Sequence, residues 1–129
     1  MRWLLYYPTR RDRVYINAAF KAAENATHRC RHGAVIRRQS HITVGFNKEK
    51  NSAKYVYPNN GVHAEIDALR KHKRTGSKIC YSVRLNRAGE LEFAAPCDSC
   101  TKKLIAASVK YTIFTNPMSE SGYSIVHYR

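Results

Sequence analysis

A chain of 129 residues fits one layered domain, residues 1–129, and is too short for two cores. Apolar residues make up 43%, too many for a disordered tract, and no apolar run reaches the length of a membrane span or a signal-peptide core; a soluble, cytoplasmic protein with no membrane partner is expected. The 23 Lys and Arg against 9 Asp and Glu, a formal +14, favour anionic partners, single-stranded nucleic acid among them. Of the four cysteines, two stand as C-x-x-C behind a proline, which in an intracellular chain indicates metal or redox chemistry and not a disulfide framework.

In chain order, Trp3-Leu-Leu-Tyr-Tyr7 is apolar and either packs on a sheet or assembles with a second copy. Thr9-Arg-Arg-Asp12 reads as a variant capping box, and Tyr15, Ala18, Ala19, Ala22 and Ala26 follow at helical spacing, predicting a helix over about 10–27. Ala34–Ile36 and Ile42–Phe46 flank Arg37–Ser40 as a hairpin. Residues 48–61, with three asparagines and Pro58, form a long loop of the kind that carries function. A second helix runs from His63 to about Arg74 and ends in cations before Gly76. Ile79–Leu85 is a strand, Asn86–Gly89 a turn, and Leu91–Phe93 a strand extension or the start of a connection. Cys97–Val109 is a third helix, and Tyr111–Thr115 and Tyr123–His127 are strands. About seven residues join that last pair, too few for a parallel crossover, so it pairs antiparallel. The alternation indicates an α/β domain with helices on both faces of one sheet.

Two helix starts carry the chemistry: His63-Ala64-Glu65 and Pro96-Cys97-Asp-Ser-Cys100. One imidazole and two thiolates are three protein ligands for Zn²⁺, leaving a fourth position to water, as in catalytic zinc sites. Cysteines three apart share one side of a helix, and the amides and dipole at its start favour the thiolate forms. Residues two apart on a helix diverge, so His63 and Glu65 share a site only if it lies off the helix N-terminus. That arrangement turns the unpaired N–H of Ala64 toward the same cleft, as a donor to a base carbonyl. Glu65 is then placed to take a proton from the attacking water and deliver it to a ring nitrogen and a departing amine. A structural zinc or a redox C-x-x-C is the competing reading; a closed structural site needs a fourth ligand from among His28, Cys30 and His32.

H-x-E with P-C-x-x-C is the signature of zinc nucleobase deaminases. From about Arg31 to Thr115, His63-Ala-Glu-Ile-Asp-Ala-Leu69, a strand, Ala95-Pro-Cys-Asp-Ser-Cys100, a helix and Tyr111–Thr115 resemble the cytidine/deoxycytidylate deaminase family, in its compact viral and bacterial forms. The resemblance implies a three-layer α/β/α fold, a five-stranded mixed sheet and zinc at the N-termini of the second and third helices. It also implies that Asn47 contacts the sugar and that the backbone at Ala95 or Pro96 accepts from the exocyclic amine. The antiparallel last strand is similar to nucleoside-type and toxin-type members. Ala95 in place of the glutamate of tRNA adenosine deaminases, and the lack of their long C-terminal helix, weaken an adenosine substrate. No second cluster matches the allosteric nucleotide-binding insertion of large deoxycytidylate deaminases. A viral origin would place the protein in host cytoplasm.

The resulting expectation is hydrolytic deamination of cytosine to uracil on a free cytidine nucleotide or nucleoside. The rivals are a deaminase of single-stranded DNA, RNA or tRNA, with Tyr55 and Tyr57 stacking on bases, and a non-catalytic zinc-stabilised binding module. Cys80 reads as a small core residue, and Asp67 and Asp98 as first-turn acids favoured by the helix dipole. His28, Cys30 and His32 lead into a strand more naturally than they form a second metal site.

Overall fold

A computed structural model describes residues 2–26, 30–49 and 61–128. The elements are β1 (Trp3–Leu5), α1 (Arg10–Glu24), β2 (Arg31–Arg38), β3 (His41–Phe46), β4 (Lys48–Glu49), β5 (Gly61–Val62), α2 (Ala64–Lys71), β6 (Lys78–Leu85), β7 (Leu91–Glu92), α3 (Asp98–Ala106), β8 (Val109–Thr115) and β9 (Tyr123–His127).

The capping box at Thr9 forms as expected: Thr9 Oγ1 accepts from the Asp12 amide and the Asp12 carboxylate accepts from the Thr9 amide, both at 3.0 Å. The helix that follows buries Ile16, Ala19, Ala22 and Ala23. These short side chains bring its backbone onto β2, where a Cβ at Gly33 would collide with the backbone of Ala19 and Ala23. The helix ends at Glu24, earlier than the apolar spacing suggested. β2 and β3 make the expected hairpin across Gln39 and Ser40, with Arg38 opposite His41 and Gln39 at φ 58.

The sheet has the order β1-β9-β8-β6-β2-β3, with β7 pairing β6. β6 and β8 are parallel, joined by a crossover through α3, while β8 and β9 are antiparallel as the short connection required. The five anticipated strands are present; β1, along β9, and β7, on the far end of β6, raise the total to seven. β7 falls in Leu91–Phe93, read from sequence as a strand extension or the start of a connection, and β1 in the apolar Trp3–Tyr7 run; at two and three residues neither leaves a period, and pairing decides both.

Alternate residues serve opposite faces. Val35, Tyr81, Val83, Ile113 and Ile125 pack with Ile16, Ala19 and Ala23 of α1, while Ile36, Cys80, Phe114 and Val126 pack with Ala68 of α2 and Leu104 of α3. The result is three layers, with α1 on one side of the sheet and α2 and α3 on the other. Cover on both faces explains why β2 and β6 are buried nearly throughout and read as apolar runs. Cys80 is fully buried in this second core, as expected of a small apolar residue. Among the described residues, no helix is long and apolar enough to cross a membrane.

Candidate active site

Three local devices bring the two motif-bearing helix starts together. The first fixes α2: a Cβ at Gly45 of β3 would run into the backbone of Ala64 and Ala68, so only glycine admits the helix at this distance. Thr43 Oγ1 donates to the Ala68 carbonyl at 2.8 Å, and the Asp67 carboxylate accepts from the Phe46 amide at 3.2 Å and from Lys71 Nζ at 3.0 Å. Asp67 thus ties helix to strand, beyond its role in the first turn. The second device is the short β4–β5 ladder, Lys48 and Glu49 opposite Val62 and Gly61, directly before His63; the rest of the long loop expected over 48–61 lies outside the described residues.

The third device fixes α3. Thr115, fully buried, accepts from the Arg84 amide at 3.2 Å and donates to the Glu92 carbonyl at 2.7 Å, while its own carbonyl accepts from the Ala94 amide at 2.9 Å. The segment from β7 to Cys97 is therefore pinned to the end of β8, which sets where Ala95, Pro96 and Cys97 stand.

His63 is the N-cap residue of α2, in extended conformation with no side-chain cap bond, so its imidazole is not spent on the helix end. Cys97 is the N-cap residue of α3, its sulfur accepting from the Cys100 amide at 3.5 Å. His63 Nδ1 lies 3.1 Å from Cys100 Sγ and 3.7 Å from Cys97 Sγ. All three ligand atoms fall within 4.8 Å of one another. One neutral nitrogen and two sulfurs at such spacing suit Zn²⁺. Burial pushes the Cys100 thiol well up, and the neighbouring Glu65 and Cys97 add to this, so a cation is what makes a thiolate comfortable there. Among the described residues, Cys30 and His32 join no second cluster; His28, Tyr55 and Tyr57 lie outside the described residues.

Glu65 is 1% exposed, and its Oε1 has no hydrogen-bond partner among the described residues. Burial raises its pKa, against the lowering influence of its own amide, His63 and Arg84. A buried carboxyl with an unused oxygen beside the metal ligands is equipped to carry a proton. Ala64, fully buried, is the first helical residue, so its N–H belongs to the unpaired first turn, as expected.

Sequence reasoning missed the support behind Glu65. His32 Nε2 lies 3.8 Å from Glu65 Oε1 and 2.6 Å from Ser82 Oγ. Ser82 donates to the Ala94 carbonyl at 3.1 Å, so it must accept from His32, and Nε2 carries the proton. Nδ1 then accepts from Arg84, at 3.4 Å. Burial, with Arg84 and His63, holds His32 well below the ordinary imidazole pKa; it is neutral, and its contact with Glu65 is not an ion pair. Cross-strand register was the missing signal, since His32 stands opposite Arg84 and Ala34 opposite Ser82.

Asn47 sits beside this group. Its Oδ1 accepts from the His32 amide at 2.8 Å and its Nδ2 donates to the Cys30 carbonyl at 2.7 Å. The acceptor is committed to backbone, and an amide nitrogen with two hydrogens has one more to offer.

The sequence profile of the cytidine and deoxycytidylate deaminase zinc-binding region matches residues 9–116. No curated protein matches the chain by sequence. Among solved structures, the fold is similar to cytidine deaminase from Burkholderia pseudomallei, with TM-score 0.64, 21% identity and 93% of each chain covered. It is also similar to dCMP deaminase from the cyanophage S-TIM5 in complex with dCMP and dUMP, with TM-score 0.61, 19% identity, and 86% of this chain and 85% of that one covered. Cytidine deaminase from Mycobacterium tuberculosis aligns with TM-score 0.57 at 19% identity over 83% of this chain and 85% of that one. With its ligand cluster at two converging helix starts inside a matched region that spans most of its length, the chain belongs to the zinc-dependent cytidine and deoxycytidylate deaminases.

Proposed function

We propose that the protein hydrolyses the exocyclic amine of cytosine on a free nucleotide or nucleoside, deoxycytidylate being the first candidate, to give uracil and ammonia. The observation that carries this reading is the His63, Cys97 and Cys100 cluster with the buried, half-unpaired Glu65 beside it. His63, Cys97 and Cys100 hold the zinc. When bound, zinc supplies the Lewis acidity that makes water a nucleophile near neutral pH.

The remaining work falls to the chain. Glu65 takes one proton from the attacking water and gives it to the base N3 as the C4–O bond forms, then takes the remaining hydroxyl proton and gives it to the amine, so that the C4–N bond breaks, ammonia leaves and C4 becomes the uracil carbonyl. The carboxyl's raised pKa makes the protonated form accessible between those transfers. The Ala64 N–H donates to the base carbonyl, and the carbonyl of Ala95 or Pro96 accepts from the amine. Asn47, its acceptor engaged on β2, meets a sugar hydroxyl as a donor. Burial of Glu65 and His32 keeps bulk water from competing for these bonds.

A free-nucleotide substrate is supported by the likeness to a dCMP deaminase crystallised with dCMP and dUMP. The +14 charge favours a second reading, in which the substrate base belongs to a single-stranded nucleic acid. Ammonia release over cytidine, deoxycytidine, their monophosphates, adenosine, single-stranded DNA and RNA separates them. Turnover of monomers with weak, salt-sensitive oligonucleotide binding is expected; turnover of strands alone would overturn the first reading. Glu65→Gln is expected to keep zinc by metal analysis and to lower kcat by at least roughly a hundredfold; a variant that still turns over at the wild-type rate would remove Glu65 from the mechanism.

A further inference from the structure

At the end of the sheet remote from the ligand cluster, positive charge gathers from several elements. Arg38 closes β2, His41 opens β3 and Lys78 opens β6. All three lie on the face covered by α2, since Arg38 is two residues on from Ile36 and Lys78 two before Cys80. Over them the C-terminal end of α2 delivers His72 and then Arg74. The His72 ring meets the His41 ring edge to face at 5.0 Å. Gly76, at φ 102, lets the Arg38 guanidinium lie against the turn, where an added Cβ would come within 2.6 Å of Arg38 Nε. Lys78 Nζ donates to the carbonyls of Gly76 and Ala107, at 3.0 and 2.8 Å, and so holds the floor in place.

This cluster lacks what such a group of side chains ordinarily requires. His72 is only 9% exposed, yet neither ring nitrogen has a partner among the described residues. Arg38 Nε is buried in the same condition. No acid pairs with Arg38, His41, His72, Arg74 or Lys78 among the described residues; Asp67, one turn earlier on α2, is engaged by Lys71. The charges press on one another: burial lowers the pKa of His72, with His41, Lys78 and Arg74 adding, and burial followed by Arg38 lowers that of Lys78. Buried polar atoms without partners are costly: the protonated ring nitrogen of His72 and the Arg38 Nε–H each lack an acceptor oxygen, and the other His72 nitrogen lacks a donor, which a protonated phosphate oxygen also supplies. Several acceptor oxygens on one compact anion would satisfy them together and relieve the repulsion.

We propose that Arg38, His41, His72 and Arg74 form a binding site for a phosphate-class oxyanion, either the free ion or a phosphoryl group on a larger molecule. The site is separate from the metal-ligand cluster, at the other end of α2 and about 12 Å away along its axis. It is independent of which cytosine compound the enzyme takes.

The test uses the zinc-loaded protein at pH 7. Thermal unfolding is followed while inorganic phosphate replaces chloride at constant ionic strength, for the wild type, Arg74→Gln, His72→Gln and the active-site control Glu65→Gln. Phosphate is expected to raise Tm saturably in the wild type and equally in Glu65→Gln. Half-saturation should move roughly tenfold higher in Arg74→Gln and in His72→Gln. In parallel, the His72 side-chain nitrogen signals should shift with phosphate. No advantage of phosphate over chloride, or unchanged half-saturation in both cluster variants, would overturn the proposal. Arg74 is exposed, so its variant keeps the test decisive if His72→Gln fails to fold. ATP, which has phosphoryl groups but no cytosine, distinguishes the source: displacement of phosphate by ATP at lower concentration identifies a phosphoryl group as the occupant, and the lack of it the free ion.

Discussion

The carboxylate of Asp12 closes the capping box of α1 and also accepts from the hydroxyls of Tyr6 and Tyr81, the latter at 2.9 Å. Burial raises its pKa, but the bonds from Tyr6, Thr9 and Tyr81 outweigh that and leave it lowered. A carboxylate with a lowered folded-state pKa binds fewer protons folded than unfolded. Its contribution to stability is therefore fully present above the ordinary carboxylate pKa and is lost as pH falls through the folded value. Asp12→Asn is expected to cost about 2 kcal/mol or more at pH 7, by stranding buried donors, and to flatten the acid limb of a stability-against-pH curve from chemical denaturation. An unchanged acid limb would show that other carboxylates set it. The residue scale was partly legible: the i, i+3 spacing of Thr9 and Asp12 announced the cap. Tyr81 reaches Asp12 from β6 and Tyr6 from the segment just ahead of the helix, and neither contact leaves a periodic pattern.

At the scale of elements, α2 and α3 have only eight and nine residues, too short to stand alone in water. Their positions come from what they lean on, and for α2 that is the bare backbone of Gly45. Gly45→Ala is expected to push α2 off β3, costing about 1–3 kcal/mol. Because His63 and Glu65 ride on that helix, kcat should fall by more than the stability loss explains, and zinc retention should weaken in a chelator competition. Full activity in a folded Gly45→Ala protein would show that the cleft tolerates the shift. The long predicted elements were found because their periodicity runs far enough to be read: α1, the β2–β3 hairpin, β6 and the last two strands. β1 and β7 are defined by their partners β9 and β6 alone.

For the molecule as a whole, two couplings follow. The candidate metal ligands sit at the starts of separate helices, α2 through His63 and α3 through Cys97 and Cys100, so zinc would cross-link two elements otherwise joined by apolar packing. Chelation is expected to lower Tm, and the Cys97→Ala/Cys100→Ala double variant to have a low Tm that chelator does not change. Equal Tm with and without chelator in the wild type would argue against a resident ion. The second coupling is electrostatic: with +14 net charge, binding of single strands should weaken steeply with salt, whereas turnover of a mononucleotide should vary far less. Tight strand binding without turnover of the mononucleotide would favour the polynucleotide reading.

By itself the sequence determined the His/Cys/Cys ligand types, the layered α/β class and the direction of the last strand, and it singled out Glu65 as the candidate proton carrier. Each of these is encoded locally, by residue chemistry at fixed spacing, by apolar period or by the length of a connection. Only the tertiary structure decided what surrounds them. It showed that His32 is a neutral, buried histidine behind Glu65, relayed through Ser82 to the Ala94 carbonyl. It showed that Asn47 spends its acceptor on the β2 backbone, and that Arg38, His41, His72 and Lys78 share one corner. Those are contacts between residues far apart in the chain, created by strand register and helix docking, and no local spacing records them.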